Sequence, residues 1–349
     1  MGGPKGFLTE KTLRESPWRD DLLLVPKPNG AERLPLEGGT DRRALKRPRV
    51  RAREEPHKLF SRIGNKENLL PNLDTKDHPL IPRIRFEVVV ETCFATGAVT
   101  ARLAKTGRIG PETKLIFTEL DEDTFDACEA VRLDPENLIR HLARHQQRMS
   151  KEYYDELVRK QTIEADIKHK DPLVVRAARI IAITKSAFGS MSRKGPFGHI
   201  NVQYRNSKHP EKKPPTICNE RNIRMMSQIL QNAIMINGSY EECLQYLPED
   251  LRNAFIYMDP PYYGQETTNE YGVRPFTEAD QRKLAEIFGD LASRGAYVAA
   301  SNSADPFIEE IYRPHSRFIF PVTDKNALAA RYGNGNNKRD EFFITSYAP

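Results

Sequence analysis

The stretch from Ala254 to Gly264 constrains the fold of this chain more than any other part of its sequence. Ala254–Met258 is short, apolar and rich in aromatic and branched residues, which predicts a buried strand, and Asp-Pro-Pro-Tyr-Tyr-Gly follows it directly. Because proline fixes φ near about −65° and has no N–H, the two prolines must end the strand and hold Asp259 outside any ladder or helix. In an open α/β sheet, ligands bind at this carboxyl end.

Asp259 and the Pro260 carbonyl therefore form a rigid pair of hydrogen-bond acceptors beside a flat ring, Tyr262. A planar amine fits such a pair, because the two acceptors take its two N–H protons while the ring stacks on it. An apolar run followed by Asp-Pro is also a common way to end a strand. Taken alone, this stretch leaves a purely structural role open.

Length and composition indicate a folded protein of one large or two modest domains, with 349 residues of which 38% are hydrophobic and 29% charged. No run approaches the roughly twenty apolar residues of a membrane span, and the first residues lack the apolar stretch of a secretory signal. The four cysteines are widely spaced with no C-x-x-C pair, which favours a reducing compartment over a disulfide framework or structural zinc. The net charge of +6 suits a polyanionic partner.

The folded part is predicted to begin near Pro56. Residues 1–55 are rich in glycine, proline and charge, which predicts disorder. They close with a basic cluster for which three roles stay open: non-specific phosphate contact, a nuclear address, or a solvated tail without a role.

A strand, a turn of small residues and a helix follow one another early in the folded part. Residues 84–91 form a strong β stretch, Gly97 lies in the turn, and a helical pattern begins near Val99. This arrangement brings backbone N–H groups and a helix N-terminus to a ligand. A second strand at residues 114–118 ends at Glu119, where an acid commonly holds ribose hydroxyls. The acids that begin there also favour a helix start, and both roles are compatible.

Together these motifs make the chain resemble the Dam-type, alpha-group family of DNA adenine-N6 methyltransferases, which use S-adenosylmethionine. From about residue 59 onward the chain reproduces the order of the family's parts: a glycine-lysine motif at 62–66, an acid and glycine turn at 91–97, the acid Glu119, a helical recognition insert, and Asp-Pro-Pro-Tyr at 259–262. Residues 176–202 resemble the family's recognition helix and DNA-reading hairpin, and Ser301, Asn302 and residues 339–343 resemble its ending.

The fold predicted from these patterns and from the resemblance is α/β: a Rossmann-like class I methyltransferase sheet, mostly parallel, twisted and flanked by helices. An antiparallel hairpin is predicted from strands around residues 318–320 and 342–344. Residues 56–131 and 231–349 are assigned to an S-adenosylmethionine-binding catalytic domain. Residues 132–230 are assigned to an inserted, mostly helical target-recognition subdomain.

The resemblance also implies roles for individual residues. The catalytic set is Asp259, Pro260, Pro261 and Tyr262. The cofactor set is Arg62, Gly64, Lys66, Glu91, Phe94, Ala95, Gly97, Glu119, Leu120, Ser239, Tyr240 and Asp259. The DNA set is Lys185, Phe188, Gly189, Met191, Arg193, Asn201, Gln203 and Arg205. Within it, Arg193 is expected to contact a guanine edge, with a plain phosphate contact as the alternative, and Phe188 to fill the gap left by a flipped base.

Several positions depart from the family's pattern. In the glycine turn, Thr92 replaces a proline and Ala95 replaces a glycine, so a Cβ stands at a position that can require a positive φ. Other positions with a residue unusual for the family are Arg62, Ser239, Gly189 and Gln203. These changes leave the fold prediction unaltered. They limit the prediction of the target to a short site that contains adenine, and a GATC-like site is one possibility among such sites.

The activity implied by the resemblance is methyl transfer from S-adenosylmethionine to the N6 amine of an adenine flipped out of duplex DNA. Hydrogen bonds from that amine to Asp259 and Pro260 would favour the tetrahedral geometry of the transition state. Three alternatives stay open: the same chemistry on RNA adenine, the same chemistry on cytosine-N4, and an inactive DNA-binding relative.

Basic residues of the insert are predicted to form a phosphate-binding face: Arg176, Arg179, Lys185, Arg193, Lys194, Arg205, Lys208, Lys212, Lys213 and Arg221. No metal is expected, because His141 and His145 stand at i, i+4 spacing without a third ligand nearby. Residues 333–337 predict a mobile loop near the mouth of the site. We expect duplex DNA as partner, no membrane contact, and a monomer with an oligomer left open. The expected location is cytoplasmic in a bacterial or phage-infected cell, or nuclear if the tail is a localisation signal.

Overall fold

The computed structural model describes residues 56–60, 66, 70, 80–166, 171–190, 200–206, 213–264, 276–325 and 338–348, without the side chains of 163–166, 190, 323–325 and 338–340. Several sequence predictions lie outside the described residues. They concern the tail at 1–55, Arg62, Gly64, Met191, Arg193 and the loop at 333–337.

Seven strands form one sheet within the described residues. They are β1 Val88–Glu91, β2 Lys114–Glu119, β3 Ile234–Asn237, β4 Ala254–Met258, β5 Tyr297–Ser303, β6 Phe318–Lys325 and β7 Lys338–Thr345. Their order across the sheet is β3-β2-β1-β4-β5-β7-β6. Strands β1 to β5 pair in parallel, whereas β7 pairs antiparallel with both β5 and β6. The mostly parallel sheet and the final hairpin predicted from the sequence are confirmed.

Helices cover both faces of the sheet. In the described part of the chain they are α1 Ala98–Lys105, α2 Glu122–Leu133, α3 Pro135–Arg148, α4 Lys151–Asp166, α5 Leu173–Ser186, α6 Glu220–Leu230, α7 Glu278–Ser293 and α8 Pro306–Tyr312. Two short 3-10 segments are found at Phe188–Ser190 and Tyr240–Tyr246. None of these helices combines the length and apolar character that crossing a membrane requires.

Alternate residues of the central strands enter two separate cores, because successive side chains of a strand point to opposite faces. Val89 and Phe255 join the core that includes α1 and the helices from α2 to α6. Val90 and Ile256 join the core beneath α7 and α8. Strands buried on both faces have the near-continuous apolar sequences observed here.

The direction in which the chain builds the sheet reverses between β1 and β4. From β1 the chain proceeds outward to β2 and β3, and from β4 it proceeds outward on the other side to β5. Such a reversal opens a crevice at the carboxyl ends of the two central strands. Glu91 ends β1 and Asp259 follows β4, so the topology brings these two acids to one crevice.

The central helix of the insert is α5, which packs against α2, α3 and α4. Two arginines predicted to contact phosphates lie inside this packing. Arg176 pairs with Asp126 of α2 at 2.5 Å, and Arg179 pairs with Asp171 at 2.9 Å and donates a hydrogen bond to Gln161. The phosphate prediction is wrong for these two arginines. They join the insert helices to one another and to the sheet domain, because a buried guanidinium requires partners for its donors.

Candidate active site

Two buried side chains fix the backbone that follows β4. Asn302, at the end of β5, accepts a hydrogen bond from the Tyr263 N–H at 3.1 Å and donates one to Gln281 at 2.9 Å. Gln281, in α7, donates to the Pro261 carbonyl at 2.8 Å. Both amides are buried, so breaking this arrangement would leave polar groups unpaired in the interior. The catalytic segment is therefore rigid.

The acceptor pair predicted from the sequence lies directly before this fixed backbone. The Asp259 side chain is 20% exposed, and its Oδ1 atom lies 3.2 Å from the ammonium of Lys66. Among the described residues, none donates a hydrogen bond to the Pro260 carbonyl. Burial raises the pKa of Asp259 above its ordinary value, and Lys66 opposes this shift. That these two oxygens accept hydrogen bonds from a ligand stays a prediction.

Glu341 joins Asp259, Lys66 and Tyr262 in this group. Lys66 donates to the Tyr262 hydroxyl at 2.6 Å, and that hydroxyl donates to Glu341 Oε2 at 2.8 Å. Glu341 lies in β7. Because β7 runs antiparallel to β5, its start lies at the edge of the sheet where the parallel strands end. Glu341 pairs there with Ser303. The sequence indicated Lys66 and Tyr262, but it indicated Glu341 only as part of a familiar ending. The register of the last strand, which places it here, is a tertiary property.

The turn between β1 and α1 contains two residues in left-handed conformation. Ala95 has φ 50° and Gly97 has φ 69°. The Ala95 N–H donates to Glu119 Oε2 at 2.9 Å, which offsets the strain of an alanine in this region. The sequence raised the question of whether a residue with a Cβ could stand at position 95. The structure accommodates it at a positive φ.

Replacing Ala95 with glycine should stabilise the fold by about 1 kcal/mol, because left-handed alanine costs roughly 1–2 kcal/mol and the extra flexibility of unfolded glycine removes part of the gain. Urea unfolding would measure the change. Ala143→Gly is the matched control, since Ala143 lies within α3 and glycine in a helix interior costs roughly 0.5–1 kcal/mol. Destabilisation by both substitutions would contradict the assigned strain.

Two glutamates border the turn. Glu91 Oε1 accepts hydrogen bonds from the backbone N–H of Thr100, at 2.9 Å, and from its hydroxyl. Burial raises the pKa of Glu91 to about 8; the Thr100 hydrogen bonds oppose the shift and the nearby charge of Asp259 adds to it. Glu119 uses its other oxygen to accept from the Asp121 N–H, and Asp121 caps α2 through the Thr124 N–H. Acids after β2 therefore do start the helix, as one of the two interpretations predicted.

The remaining predicted cofactor residues differ in exposure. Leu120 is 50% exposed beside Glu119 and offers an apolar surface. Ser239 forms a capping box with Glu242 at the start of the 3-10 segment Tyr240–Tyr246, and the Tyr240 ring packs edge-on against Phe276. Phe94, by contrast, is only 2% exposed. It stacks on Phe117 with ring centroids 4.3 Å apart, so its side chain supports the turn from the core and does not line the crevice.

The segment at 56–60 connects the turn to the end of the insert. Leu59 donates its N–H to the Thr96 carbonyl at 2.9 Å. The buried side chain of Asn222, in α6, accepts from the His57 N–H at 3.0 Å and donates to the carbonyls of His57 and Lys58. The role of Asn222 could not be predicted from the sequence, because an asparagine within an amphipathic helix carries no distinguishing signal.

The predicted DNA-reading segment begins with a short antiparallel pairing after α5. Ala187 bridges Tyr204, the Phe188 N–H donates to the Gln203 carbonyl at 2.8 Å, and the Arg205 N–H donates to the Ser186 carbonyl at 2.9 Å. Gly189 takes φ 65° at the turn that follows. Lys185 is mostly buried here, and burial lowers its pKa.

Side chains alternate along the second of these strands. Tyr204 points inward and packs near Tyr154, whereas Asn201, Gln203 and Arg205 are exposed. This period-two pattern presents one polar face to solvent. Among the described residues there is no group of three or more His, Cys, Asp or Glu side chains suited to hold a metal ion. His145 instead shares a hydrogen bond with the Tyr153 hydroxyl at 2.8 Å.

A sheet with its switch point between β1 and β4, a glycine turn after β1 and Asp-Pro-Pro-Tyr after β4 together define a class I methyltransferase fold. The sequence pattern of the D12 class N6 adenine-specific DNA methyltransferases matches residues 63–327, and the chain belongs to this family. It is an adenine-specific DNA methyltransferase.

Individual relatives agree with the family. The chain is 28% identical to the type II methyltransferase M1.LlaDCHI of Lactococcus lactis subsp. cremoris over 81% of this chain and 93% of the relative. It is 29% identical to the type II methyltransferase M.MjaIII of Methanocaldococcus jannaschii over 67% and 80% of the two chains. A shorter match, 31% identical over 40% of this chain and 45% of the relative, is to the retron Ec67 DNA adenine methylase of Escherichia coli.

Proposed function

We propose that this protein transfers a methyl group from S-adenosylmethionine to the N6 amine of an adenine in a short duplex DNA site, within the crevice between β1 and β4. The observation that carries the proposal is the rigid pair of acceptors, the Asp259 carboxylate and the Pro260 carbonyl, beside the ring of Tyr262. The type II names of two relatives support a site-specific enzyme of the kind found in restriction-modification systems.

The crevice suits a cationic nucleoside cofactor. Glu91, Glu119 and Asp259 converge on it from three neighbouring strand ends, which is an unusual concentration of acids unless a cation binds among them. A Cβ at Gly97 would meet the buried side chains of Phe94 and Met226, so packing from the core fixes the turn beside the crevice. S-Adenosylmethionine supplies a methyl group activated by a positive sulfonium. In this proposal Glu91 faces its ammonium, Glu119 its ribose and Leu120 its adenine, with Ser239 and Tyr240 closing the adenine side.

Asp259 and Pro260 act on the target base. The lone pair of an adenine amine is delocalised into the ring, which makes the amine a poor nucleophile. Hydrogen bonds from both N–H groups of the amine to Asp259 and Pro260 favour the tetrahedral nitrogen of the transition state and stabilise the positive charge that develops there. Tyr262 stacks on the base, which must leave the duplex to reach this depth. Asp259 is then the nearest group to take the proton that the amine loses.

The exposed polar face of the insert is assigned to DNA. Asn201, Gln203 and Arg205 project from one strand face, the spacing with which a β-ribbon contacts base edges or phosphates in the major groove. Phe188 lies at the adjoining turn and is proposed to fill the space left by the flipped adenine. Arg193 and Met191, in the same segment of sequence, keep their proposed DNA roles from the family resemblance.

The raised pKa of Glu91 makes a prediction about cofactor binding. With a pKa of about 8, the carboxyl is protonated at pH 6 and must lose its proton to bind an ammonium. Affinity for S-adenosylmethionine should therefore rise roughly tenfold per pH unit between pH 6 and 7.5, and level off near pH 8 where an α-amino group itself loses its charge. Calorimetric titration in buffers of different ionisation enthalpy measures the released proton.

Glu91→Gln is the matched variant for this measurement. It keeps an acceptor for Thr100 but has no proton to lose, so its weaker binding should be almost independent of pH over the same range. Binding to the unaltered protein without proton release would show that Glu91 does not face the ammonium.

The proposed function is tested by incubating the purified protein with S-adenosylmethionine carrying a tritiated methyl group and with duplex DNA, single-stranded DNA or RNA. Nucleoside analysis should show N6-methyladenine from duplex DNA. Labelled N4-methylcytosine or methylated RNA would assign the same chemistry to another amine, and absence of both label and cofactor binding would identify an inactive relative. Long-read sequencing of DNA from cells expressing the protein would then give the target site.

A further inference from the structure

Four polar groups from three separate parts of the chain meet at the segment that follows β4. The Lys66 ammonium lies 3.2 Å from Asp259 Oδ1, 2.6 Å from the Tyr262 hydroxyl and 3.7 Å from Glu341 Oε2. The Tyr262 hydroxyl bridges Lys66 and Glu341. Lys66 and Glu341 are both buried, so their charges are poorly screened by water. One ammonium is therefore shared between two carboxylates.

We propose that Glu341 is a positioning residue of the methyl transfer, which divides the charge of Lys66 between two carboxylates and fixes the ring of Tyr262. This role rests on the proposed function, since Asp259 and Tyr262 are the groups that contact adenine in it. Glu341 itself reaches the base only through Lys66 and Tyr262.

The division of charge matters because Asp259 has two competing tasks. An ammonium held by Asp259 alone would neutralise that carboxylate and weaken it as an acceptor for the adenine amine. Glu341 draws Lys66 toward itself and leaves more negative charge on Asp259. In agreement with this geometry, the charge of Glu341 raises the pKa of Asp259 and that of Lys66 lowers it.

The hydrogen bonds of the Tyr262 hydroxyl also fix the position of its ring. The Tyr262 oxygen is held from one side by a donor and from the other by an acceptor, which fixes the χ1 rotamer and therefore the position of the ring. The ring is thereby held beside Asp259 before any base arrives. Preorganisation of this kind reduces the ordering that binding would otherwise require.

The experiment compares the single-turnover methylation rate of Glu341→Gln with that of the unaltered protein across pH. Glutamine keeps an oxygen for the Tyr262 hydroxyl and removes the charge. The rate should fall about 10- to 100-fold, the range for one hydrogen bond to a charged group. Because the charge of Glu341 no longer raises the pKa of Asp259, that pKa should fall and the acid limb of the pH–rate profile should move to lower pH.

Two further variants separate this role from simple structural support. Lys66→Met should move the acid limb the opposite way, to higher pH, because the cation that opposes burial is removed. Tyr262→Phe should slow the reaction and move the acid limb slightly to higher pH, because the Tyr262 hydroxyl also lowers the pKa of Asp259. The other titratable groups facing this cluster are Glu91, Cys93 and Tyr257, and they stay unchanged in all three variants.

Glu310→Gln is the matched control, since Glu310 is exposed on α8, and it should behave like the unaltered protein. An unchanged rate and pH profile in Glu341→Gln would overturn the proposal. So would parallel shifts in Glu341→Gln and Lys66→Met. If Glu341→Gln does not fold, as judged by thermal melting, Glu341→Asp replaces it: the shorter acid keeps the charge but cannot reach the Tyr262 hydroxyl in the same way, so the rate should fall, and an unchanged rate would overturn the proposal. Should Asp259→Asn retain full activity, the proposed function fails, and with it the premise of this inference.

Discussion

Asp259→Asn should lower the single-turnover rate of adenine methylation on the order of a thousandfold, while DNA affinity at fixed salt stays within about twofold. The magnitude combines the loss of a charged acceptor in a buried site with the loss of a proton acceptor. The amide is isosteric, and Lys66 keeps Glu341 and Tyr262 as partners, so the fold should persist. Rapid-quench assays with tritiated cofactor and filter binding of duplex DNA measure the two quantities.

Asp250→Asn provides the control for this substitution. Asp250 is exposed and pairs only across the surface with Arg252, so the same chemical change there should alter neither rate nor affinity. Comparable rates for Asp259→Asn and Asp250→Asn would remove Asp259 from the reaction.

The raised pKa of Asp259 adds a prediction on pH. The reaction needs the ionised carboxylate, so the rate should fall as pH drops through a value above that of an ordinary aspartate. The effect of pH on the stability of the fold has the opposite sign to its effect on the rate. The folded protein binds this proton more tightly than the unfolded chain, so ionisation costs stability above the raised pKa, and Asp259→Asn should be at least as stable as the unaltered protein at neutral pH.

Gly97→Ala should destabilise the protein by about 2–5 kcal/mol and weaken cofactor binding beyond detection. A Cβ at Gly97 would lie 2.7 Å from Phe94 Cζ, and the residue would be held at φ 69°. The backbone accounts for roughly 1–2 kcal/mol and the forced shift of a packed core ring for roughly 1–3 kcal/mol. Denaturant unfolding and calorimetric titration with S-adenosylmethionine measure the two effects.

Gly264→Ala separates the two contributions to stability. Gly264 has φ 72°, but among the described residues nothing lies within 4 Å of the Cβ that alanine would add. It should therefore incur the backbone cost alone. Equal losses of stability in the two variants would mean that Phe94 moves aside freely, and that the turn is not fixed by its packing on Phe117.

Local sequence was sufficient for the elements that carry their own signal. Ala254–Met258 followed by two prolines predicted a buried strand and its end, and the acids after the second strand predicted the start of a helix. The residues whose roles could not be predicted from the sequence act over long sequence separations. Asn302, Gln281, Asn222 and Glu341 are ordinary polar residues whose function depends on which backbone group the fold brings beside them.

The phosphate prediction for Arg176 and Arg179 failed for a related reason. A basic residue on an amphipathic helix has the same sequence signature whether its side chain faces solvent or an acid on another helix. Asp126 lies far from Arg176 in sequence, and Asp171, although it is close in sequence to Arg179, precedes the helix, so neither acid gave a signal of pairing. Apolar periodicity identifies the buried face of a helix only where that face is apolar.

The position of β7 between β5 and β6 has a consequence for biosynthesis. Among the described strands β6 pairs with β7 alone, so as the chain leaves the ribosome β6 has no neighbour in the sheet until β7 follows it. The same late strand delivers Glu341 to a lysine made near the beginning. If Glu341 has the role proposed above, a nascent chain that has already folded its five parallel strands still lacks an intact catalytic centre, and we expect it to methylate DNA only after translation of this strand is complete.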